Sequence, residues 1–320
     1  MGRVPPVVWC PAVFTFEKGE GHMSVFTAEC IERFERMCMD GFEQGWHEAN
    51  GGNLTYRMTE KDVEACKDDF EFSRPWVEMG VQADNLKGAY FLTTGSGKFM
   101  RNVPLYPAEC LGIVQINEAG DAYRIVWGLE GGGRPTSEFP THFMNHSIRM
   151  AATNGENRVI YHCHCPNIIA LSTLIEPDAR TWTRILWKSM TECVIIFPHG
   201  VGVVPWMVPG GADIAHATAK LIDKYDAVVW SQHGMFVSGN SFDAAFGLMH
   251  TIEKSAGLYL TARAGLPHQR CPAHQGLQRL QRRAQYGVPR RPELQIGDSP
   301  QFAGGVPKLQ FSRVREGGMR

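Results

Sequence analysis

The segment YHCHCPN, residues 161–167, alternates two histidines with two cysteines. In a β-strand, alternate side chains lie on the same face of the sheet. His162 and His164 therefore point to one side, whereas Cys163 and Cys165 point to the other, so the four side chains do not form one cluster. Two imidazoles on one face suit a zinc ion. They equally suit a pair of histidines satisfied by hydrogen bonds, and this segment alone does not decide between the two.

A third histidine favours the metal site. His233 ends the predicted strand AVVWSQHG, at a position where sheets place ligands and catalytic groups. Gly234 follows and permits a sharp turn of the backbone. Three histidines leave coordination positions open for water or substrate, which is typical of catalytic rather than structural zinc. Other histidines lack such a setting, and we expect three of them to lie on the surfaces of amphipathic helices: His142, His146 and His250.

Two glutamates are candidates for acid–base chemistry. Glu138, in RPTSEFP, follows two hydroxyl residues at a predicted helix start. An acid at that position also has the common role of interacting with the helix dipole. Glu192, in MTECV, lies where a predicted helix passes into a predicted strand. Its position alone indicates no function.

Glycine-rich turns offer a phosphate site. The turns NGGN, residues 50–53, and TGSG, residues 94–97, can each present backbone N–H groups and short polar side chains to an anion. Thr136 and Ser137 add hydroxyls beside a helix N-terminus. Each turn alone is more typical of an ordinary turn. The segment TTGSGKF is not a Walker loop, because it lacks the first glycine at the required distance and a Ser or Thr after Lys98.

Strands and helices alternate around these residues. Helical spacing covers residues 26–46, and further helices are predicted for PNIIALSTLI, TWTRILWKSM, DIAHATAKLIDKY and, capped by Ser241, SFDAAFGLMHTIEKSAGLYL. Extended segments are predicted for LTYRM, GAYFLTTG, AYRIVWGLE, RVIYHCH, VIIFPHGVGVV and AVVWSQHG. The alternation predicts an α/β fold in which helices cover both faces of a sheet.

The composition excludes several classes of protein. Of the 320 residues, 43% are hydrophobic and 20% charged, as in ordinary globular proteins, and no apolar run is long enough for a membrane span. Nine cysteines without a framework spacing, and no signal peptide, predict a reducing compartment, the cytoplasm. Residues 261–320 hold eleven basic and three acidic residues, whereas residues 1–260 hold 21 and 30, a net of −9. This acidic body argues against nucleic acid as a partner.

Six segments, in order, resemble the class II aldolase/adducin family over residues 24–260: GWHEANGGNLTYR, TGSGKFMRNV, WGLEGGGRPTSEFPTHF, ATNGENRVIYHCHCPNIIAL, TECVIIFPHGVGVVPWMVPG and HGMFVSG with the FGL and IEKSA that follow. The resemblance implies a three-layer αβα sandwich with a central, mainly antiparallel or mixed sheet. Within the family, the WGL, TEC and PWMVPG segments favour the branch that cleaves L-rhamnulose 1-phosphate to dihydroxyacetone phosphate and L-lactaldehyde.

The resemblance also implies roles for residues. It assigns one zinc ion per subunit to His162, His164 and His233, and proton transfer to Glu138. Glu192 would act in a neighbouring subunit's site, in a cyclic homotetramer. The implied phosphate-binding positions are Asn50, Gly52, Asn53, Ser96, Gly97, Thr136 and Ser137. A related sugar-phosphate aldolase or epimerase that uses the same metal site remains an alternative, as do a catalytically impaired variant and a non-catalytic binding module.

Both ends of the chain depart from the family pattern. Residues 1–22 are predicted to be a translated leader without a counterpart in the mature protein, and residues 23–263 to form the aldolase domain. Residues 264–320 are rich in Gln, Arg and Pro, which predicts a disordered basic tail. The abrupt change indicates a frameshift in the underlying gene.

Overall fold

The computed structural model describes residues 24–265. The predicted leader at residues 1–22, and the predicted tail beyond residue 265, lie outside the described residues. The helices are α1 Glu29–Glu43, α2 Glu60–Cys66, α3 Pro107–Cys110, α4 Phe139–Ala152, α5 Pro166–Ser172, α6 Ala179–Ser189, α7 Cys193–Ile196, α8 Ala212–Ile222 and α9 Phe242–Gly265. The strands are β1 Asn53–Arg57, β2 Val77–Glu78, β3 Tyr90–Thr94, β4 Leu111–Ile116, β5 Ala122–Gly128, β6 Val159–Cys163, β7 Gly202–Val204, β8 Ala227–Trp230 and β9 Gly234–Gly239.

The strands form one nine-stranded sheet in the order β2-β5-β4-β3-β1-β6-β9-β8-β7. Neighbouring strands are antiparallel except β7 and β8, which are parallel. The predicted mixed, mainly antiparallel sheet is confirmed. Strand β6 lies beside the central strand β1 and is paired with β1 on one side and β9 on the other, so Tyr161 and His162 are held on both sides by strand pairing.

Helices cover both faces of this sheet. On one face α1, α5, α6 and α9 enclose the largest apolar cluster, to which Tyr161 and Cys163 of β6 belong. On the other face α4 and α8 pack over two smaller clusters, one of which contains Ile160 of the same strand. Successive residues of β6 thus enter opposite layers, as the period of a strand requires. The three-layer αβα architecture is confirmed.

Two helix starts follow their sequence signals. Pro166 occupies the first position of α5, and the Ser241 hydroxyl accepts a hydrogen bond from the N–H of Ala244 at the start of α9. The buried Glu253 of α9 accepts from the backbone N–H groups of Asn167 and Ile168. These bonds satisfy donors that a helix start leaves open. They hold the turn between β6 and α5, which carries His164.

Sequence analysis was wrong about one extended segment and missed three strands. In VIIFPHGVGVV, residues 193–196 form α7 and only Gly202–Val204 is a strand. Pro198, and Gly200 with φ +84°, interrupt the run between them. The strands β2, β4 and β9 were not predicted. β2 has only two residues, and short apolar runs do not distinguish a strand from a buried helical turn. None of the helices between residues 24 and 265 combines the length and apolar character that a bilayer span requires.

Candidate active site

A cleft of about 300 Å³ opens where β1 begins and β6 ends. It contains the three histidines, Glu138 and all of the predicted phosphate-binding positions, whereas Glu192 does not contribute to its lining. The lining residues are Asn50, Gly51, Gly52, Asn53, Gly95, Ser96, Gly97, Thr136, Ser137, Glu138, His162, His164, Pro209, Gly210 and His233. Residues from six separate parts of the chain therefore meet in one place.

The histidines come together at one side of the cleft. His162 is buried within β6, His164 follows that strand, and His233 lies in the turn between β8 and β9. A ligating atom from each falls within 4.8 Å of the other two. The Nε2 atoms of His162 and His233 are 3.2 Å apart. Two nitrogens that bind one tetrahedral zinc ion at 2.0–2.1 Å would be separated by about 3.3 Å, so the cluster has the spacing of a metal site.

Hydrogen bonds fix the protonation of two of these rings. The Nδ1 atom of His162 lies 3.1 Å from the carbonyl oxygen of Met235, and that of His164 contacts the carboxylate of Glu48. Because a carbonyl and a carboxylate only accept, each Nδ1 carries a proton, and Nε2 is the ring nitrogen left to face a metal ion. Burial lowers the pKa of His233 to about 4 and that of His162 well below its usual value. Neutral imidazoles are the form that binds a metal ion.

The hairpin that carries His233 differs from the prediction. His233 does not end a strand, since β8 stops at Trp230 and the histidine lies three residues further on. Gln232 adopts a left-handed conformation at φ +59°, and its N–H donates to the Ser172 hydroxyl at 2.7 Å. Gly234 is required by close packing rather than by a sharp turn: a Cβ there would lie 2.3 Å from the carbonyl oxygen of Cys163.

Glu138 immediately precedes α4, as predicted for a helix start. Its side chain is buried, and its Oε2 accepts a hydrogen bond from Asn53 Nδ2 at 2.9 Å. Burial raises the pKa of Glu138, although the Asn53 hydrogen bond and the charge of His164 act in the opposite direction. A buried carboxyl with a raised pKa, in a cleft beside three imidazoles, is a group suited to carry a proton.

Two histidines of α4 are buried behind the cleft, which corrects the expectation that they lie on a helix surface. His142 and His146 are almost completely buried. One ring nitrogen of each lies 2.8 Å from the Thr55 hydroxyl, and the other nitrogen of His142 contacts the Asn53 side-chain oxygen. Their spacing of four residues places both on one side of α4. That spacing was visible in the sequence, but the packing of Thr55 of β1 against it was not.

Two of the turns that were predicted to bind phosphate are joined to each other. Gly95 and Pro135 form an isolated β-bridge, and the N–H of Ser96 donates to the carbonyl oxygen of Arg134 at 2.8 Å. The N–H of Thr136 donates to the carbonyl oxygen of Thr94, also at 2.8 Å. Ser96 and Gly97 therefore stand beside Thr136 and Ser137 as one unit.

The third turn, NGGN, is held from behind by a buried pair. His47 Nδ1 lies 3.0 Å from the Gly51 carbonyl oxygen, and His47 Nε2 lies 2.7 Å from the Tyr161 hydroxyl. The carbonyl must accept, so Nδ1 is protonated and Nε2 accepts from Tyr161. Gly52 has φ +76°, and a Cβ there would lie 2.4 Å from His47 Nδ1. Only glycine satisfies both constraints.

Five positions in or near the cleft were not among the predicted site residues. Glu48 contacts His164, and four residues line the cleft: Gly51, Gly95, Pro209 and Gly210. Pro209 and Gly210 belong to the PWMVPG segment. Its prolines and glycine were the available signal for a specialised loop. The exposed Glu48 offered none, because its contact with His164 depends on how the chain folds.

Cys163 and Cys165 lie together on the face opposite the histidine cluster. Both are buried and free, with their sulfur atoms 3.5 Å apart. The prediction that they point away from the histidines is confirmed. Glu192 is exposed at the junction of α6 and α7, and not at the start of a strand as expected.

Comparison with known proteins gives this geometry a family context. Residues 32–260 match the class II aldolase and adducin N-terminal domain. The chain is 47% identical over 217 residues to rhamnulose-1-phosphate aldolase from Escherichia coli O139:H28 (strain E24377A / ETEC), covering 68% of this chain and 79% of the relative. It is 45% identical over 241 residues to rhamnulose-1-phosphate aldolase from Pectobacterium atrosepticum, covering 75% and 88%.

Solved structures agree with the sequence relatives. A sugar-phosphate aldolase from Thermotoga maritima superposes with a TM-score of 0.64 at 29% identity, covering 75% of this chain and 97% of that one. The structure of YgbL from Escherichia coli superposes with a TM-score of 0.54 at 19% identity, covering 79% and 98%. At that identity the second likeness shows the fold alone.

Proposed function

Because this chain belongs to the class II aldolase and adducin family, as one of its carbon–carbon lyases, we propose that it cleaves L-rhamnulose 1-phosphate. The products are dihydroxyacetone phosphate and L-lactaldehyde, formed by breaking the bond between the third and fourth carbons. The observation that carries the proposal is the meeting of three imidazoles, a buried carboxyl and polar turns in one cleft. The names of the relatives in two bacteria support the choice of substrate.

The histidine cluster would hold one zinc ion. Its three nitrogen donors suit zinc and leave a coordination position for substrate. When bound there, zinc supplies Lewis-acid stabilisation of negative charge. The protein's part is to keep His162 and His164 in the tautomers that leave Nε2 free, which the carbonyl of Met235 and the carboxylate of Glu48 do.

Glu138 moves the proton at the third carbon. In the cleavage direction its protonated form delivers a proton to that carbon, and in the reverse direction its carboxylate removes it. Because burial raises the pKa of Glu138, the protonated form stays populated at a pH closer to neutral. The N–H of Asn53 holds the carboxyl in one orientation at 2.9 Å, so the proton is presented from a fixed direction.

The glycine and hydroxyl turns bind the phosphate at the unreactive end. Within the described lining of the cleft, the groups available to an anion are backbone N–H groups, the amide of Asn50 and three hydroxyls, from Ser96, Thr136 and Ser137. Gly52 and Gly97, both with positive φ, shape these turns. The Asn53 amide is different, because both its polar atoms already contact protein groups. Binding at one end holds the reacting carbons in one pose against Glu138.

We propose further that the active enzyme is a homotetramer in which Glu192 completes a neighbour's site. Glu192 is exposed and lies outside the lining of its own cleft. Ile195 and Ile196 beside it are 63% and 47% exposed, which is typical of an apolar surface that another subunit covers. A variant with an inactive Glu138 and another with an inactive Glu192 should then complement each other in mixed tetramers.

The compartment we propose is the reducing cytoplasm. The seven cysteines among the described residues are all free and buried. Two of them, Cys163 and Cys165, hold their sulfur atoms 3.5 Å apart without a bond. Free thiols at that distance are typical of proteins kept under reducing conditions.

The proposal is tested with purified full-length protein, its metal content and a panel of ketose phosphates. Cleavage of L-rhamnulose 1-phosphate should exceed that of L-fuculose 1-phosphate, and one zinc ion per chain should be found. Epimerisation of a ketose phosphate without cleavage would instead show that the site belongs to an epimerase. Zinc binding without any turnover would indicate a catalytically impaired variant. The absence of both zinc and turnover would indicate a binding module.

A further inference from the structure

An unbroken row of hydrogen bonds runs from Glu138 into the layer of α4. Glu138 contacts the Asn53 amide, and Asn53 contacts His142. The row continues from His142 to the Thr55 hydroxyl and from there to His146. Every member is at least nine-tenths buried, so water does not compete for these contacts.

The direction of the row is set at its Glu138 end, where the Asn53 NH₂ group donates to Glu138 Oε2. This is the direction required when Glu138 is a carboxylate, which only accepts, and it turns the carbonyl oxygen of Asn53 to His142. A carbonyl oxygen also accepts, so His142 must be protonated at Nε2. Its Nδ1 then accepts from the Thr55 hydroxyl, whose oxygen in turn accepts from His146 Nε2–H. Each group donates toward Glu138, and the row ends at His146 Nδ1, an acceptor without a hydrogen-bond partner in the described structure.

We propose that His142 is a positioning residue that fixes the Asn53 amide with its N–H directed at Glu138. The proposal rests on the proposed function, since it assigns Glu138 the proton transfer. An amide side chain has nearly the same shape after a half-turn. In that flipped state its oxygen would face the Glu138 carboxylate and the two would repel each other. The Nε2–H of His142 excludes the flip, because a flipped Asn53 would point its NH₂ group at that N–H.

The backbone cannot provide this selection. Asn53 is the first residue of β1, and its pairing with His162 places its Cα but leaves its terminal dihedral free. His142 lies in α4, a helix that begins one residue after Glu138. Glu138 therefore lies at the start of this helix, and His142, which orients Asn53, lies one turn further along it. Thr55 and His146 hold the His142 ring in the tautomer required.

A first experiment reads the tautomer directly. Zinc-loaded protein is labelled with ¹⁵N-histidine, and the two ring nitrogens of His142 are assigned by comparison with His142→Gln. The expected result is a protonated Nε2 and an unprotonated Nδ1. A proton on Nδ1 with a bare Nε2 would require the opposite orientation of Asn53 and would overturn the proposal. This readout does not depend on which substrate the enzyme uses, so it decides the hydrogen-bond order even if L-rhamnulose 1-phosphate is not cleaved.

A second experiment measures catalysis. His142→Phe removes the donor and should lower kcat by about 10²-fold, the cost of misplacing a catalytic group, with unchanged zinc content and a KM within about twofold of the starting protein. His142→Gln places an amide N–H near the former Nε2 and should recover most of the lost kcat. Asn145→Leu is the matched control, since Asn145 is an equally buried polar residue of α4 outside the row. Its kcat should not change.

The pattern across the three variants decides the outcome. A Phe variant with the original kcat, or a Gln variant as slow as the Phe variant although thermal melting shows it folded, would overturn the positioning role. An equal loss of kcat in Asn145→Leu would also overturn it, because the loss would then come from disturbance of α4 as a whole.

Discussion

The two sides of strand β6 meet different surroundings close to the cleft. On one side Tyr161 and Cys163 enter the large apolar cluster under α5 and α9. On the other side His162 pairs with Asn53 and Ile160 pairs with Thr55, and the side chains of Asn53 and Thr55 contact two buried histidines of α4. Apolar packing fixes where the strand lies, because it depends on volume. Hydrogen bonds fix which atoms point into the cleft, because they depend on direction. Substitutions on the polar side should therefore alter activity, and substitutions on the apolar side should alter stability.

The largest expected effect lies on the polar side. His164→Ala removes one of three ligands, so the purified protein should lose stoichiometric zinc, and its turnover should fall further than in any other single variant. Metal analysis and cleavage assays check this. His250→Ala, which changes an exposed histidine of α9, should keep both metal and activity. A His164→Ala protein that retains one zinc ion per chain would remove His164 from the metal site.

The next effect separates chemistry from binding. Glu138→Gln keeps the volume of the side chain but cannot exchange a proton, so kcat should fall by about 10²–10⁴-fold while zinc content and melting temperature stay close to the original. Glu130→Gln, at an exposed acid of the preceding loop, is the matched control and should behave as the starting protein. Undiminished cleavage by Glu138→Gln would show that another group carries the proton.

The apolar side should respond in the opposite manner. Leu171 of α5 is fully buried in the large cluster, and Leu171→Ala should lower the free energy of unfolding by about 2–5 kcal/mol. Below the melting transition, kcat should change little. The exposed Leu258→Ala should change the free energy of unfolding by less than about 0.5 kcal/mol. If Leu171→Ala instead lowered kcat at constant fold, the two sides would not be separable.

The smallest effect is a shift along the pH axis. Exchange of the proton on the third carbon of dihydroxyacetone phosphate with deuterated solvent needs Glu138 as a carboxylate. Because burial raises the pKa of Glu138, exchange should fall as the pH falls through a midpoint above the usual carboxyl value of about 4.3. Asn53→Leu removes a donor that lowers this pKa and should move the midpoint upward. Zinc content measured at each pH separates this change from loss of metal.

Local pattern was sufficient to find the polar groups of the cleft. The two-residue period of a strand placed His162 and His164 on one face, and a helix-start signal placed Glu138 before α4. The glycine turns were located because φ above zero and close approach restrict those positions. The overall architecture followed from alternating helices and strands.

Contacts between distant segments could not be found in this way. The period of α4 shows that His142 and His146 share a side, but not that Thr55 of another layer covers them. A histidine pair on a helix is more often exposed than buried, so the general expectation failed here. The contact of Glu48 with His164 joins residues 116 apart in sequence, and no local signal encodes such a pairing.

The bridge between Gly95 and Pro135 bears on the thermodynamics of ligand capture. Ordering a free backbone residue costs roughly 1–2 kcal/mol, and a loop that closes only around its ligand takes that cost from the binding free energy. Here the two turns are tied together before any phosphate arrives. Binding should therefore proceed with a small loss of chain entropy and with association that is fast for its affinity. Loss of this bridge, more than loss of any hydroxyl, would convert a preformed anion site into one that must fold around its ligand.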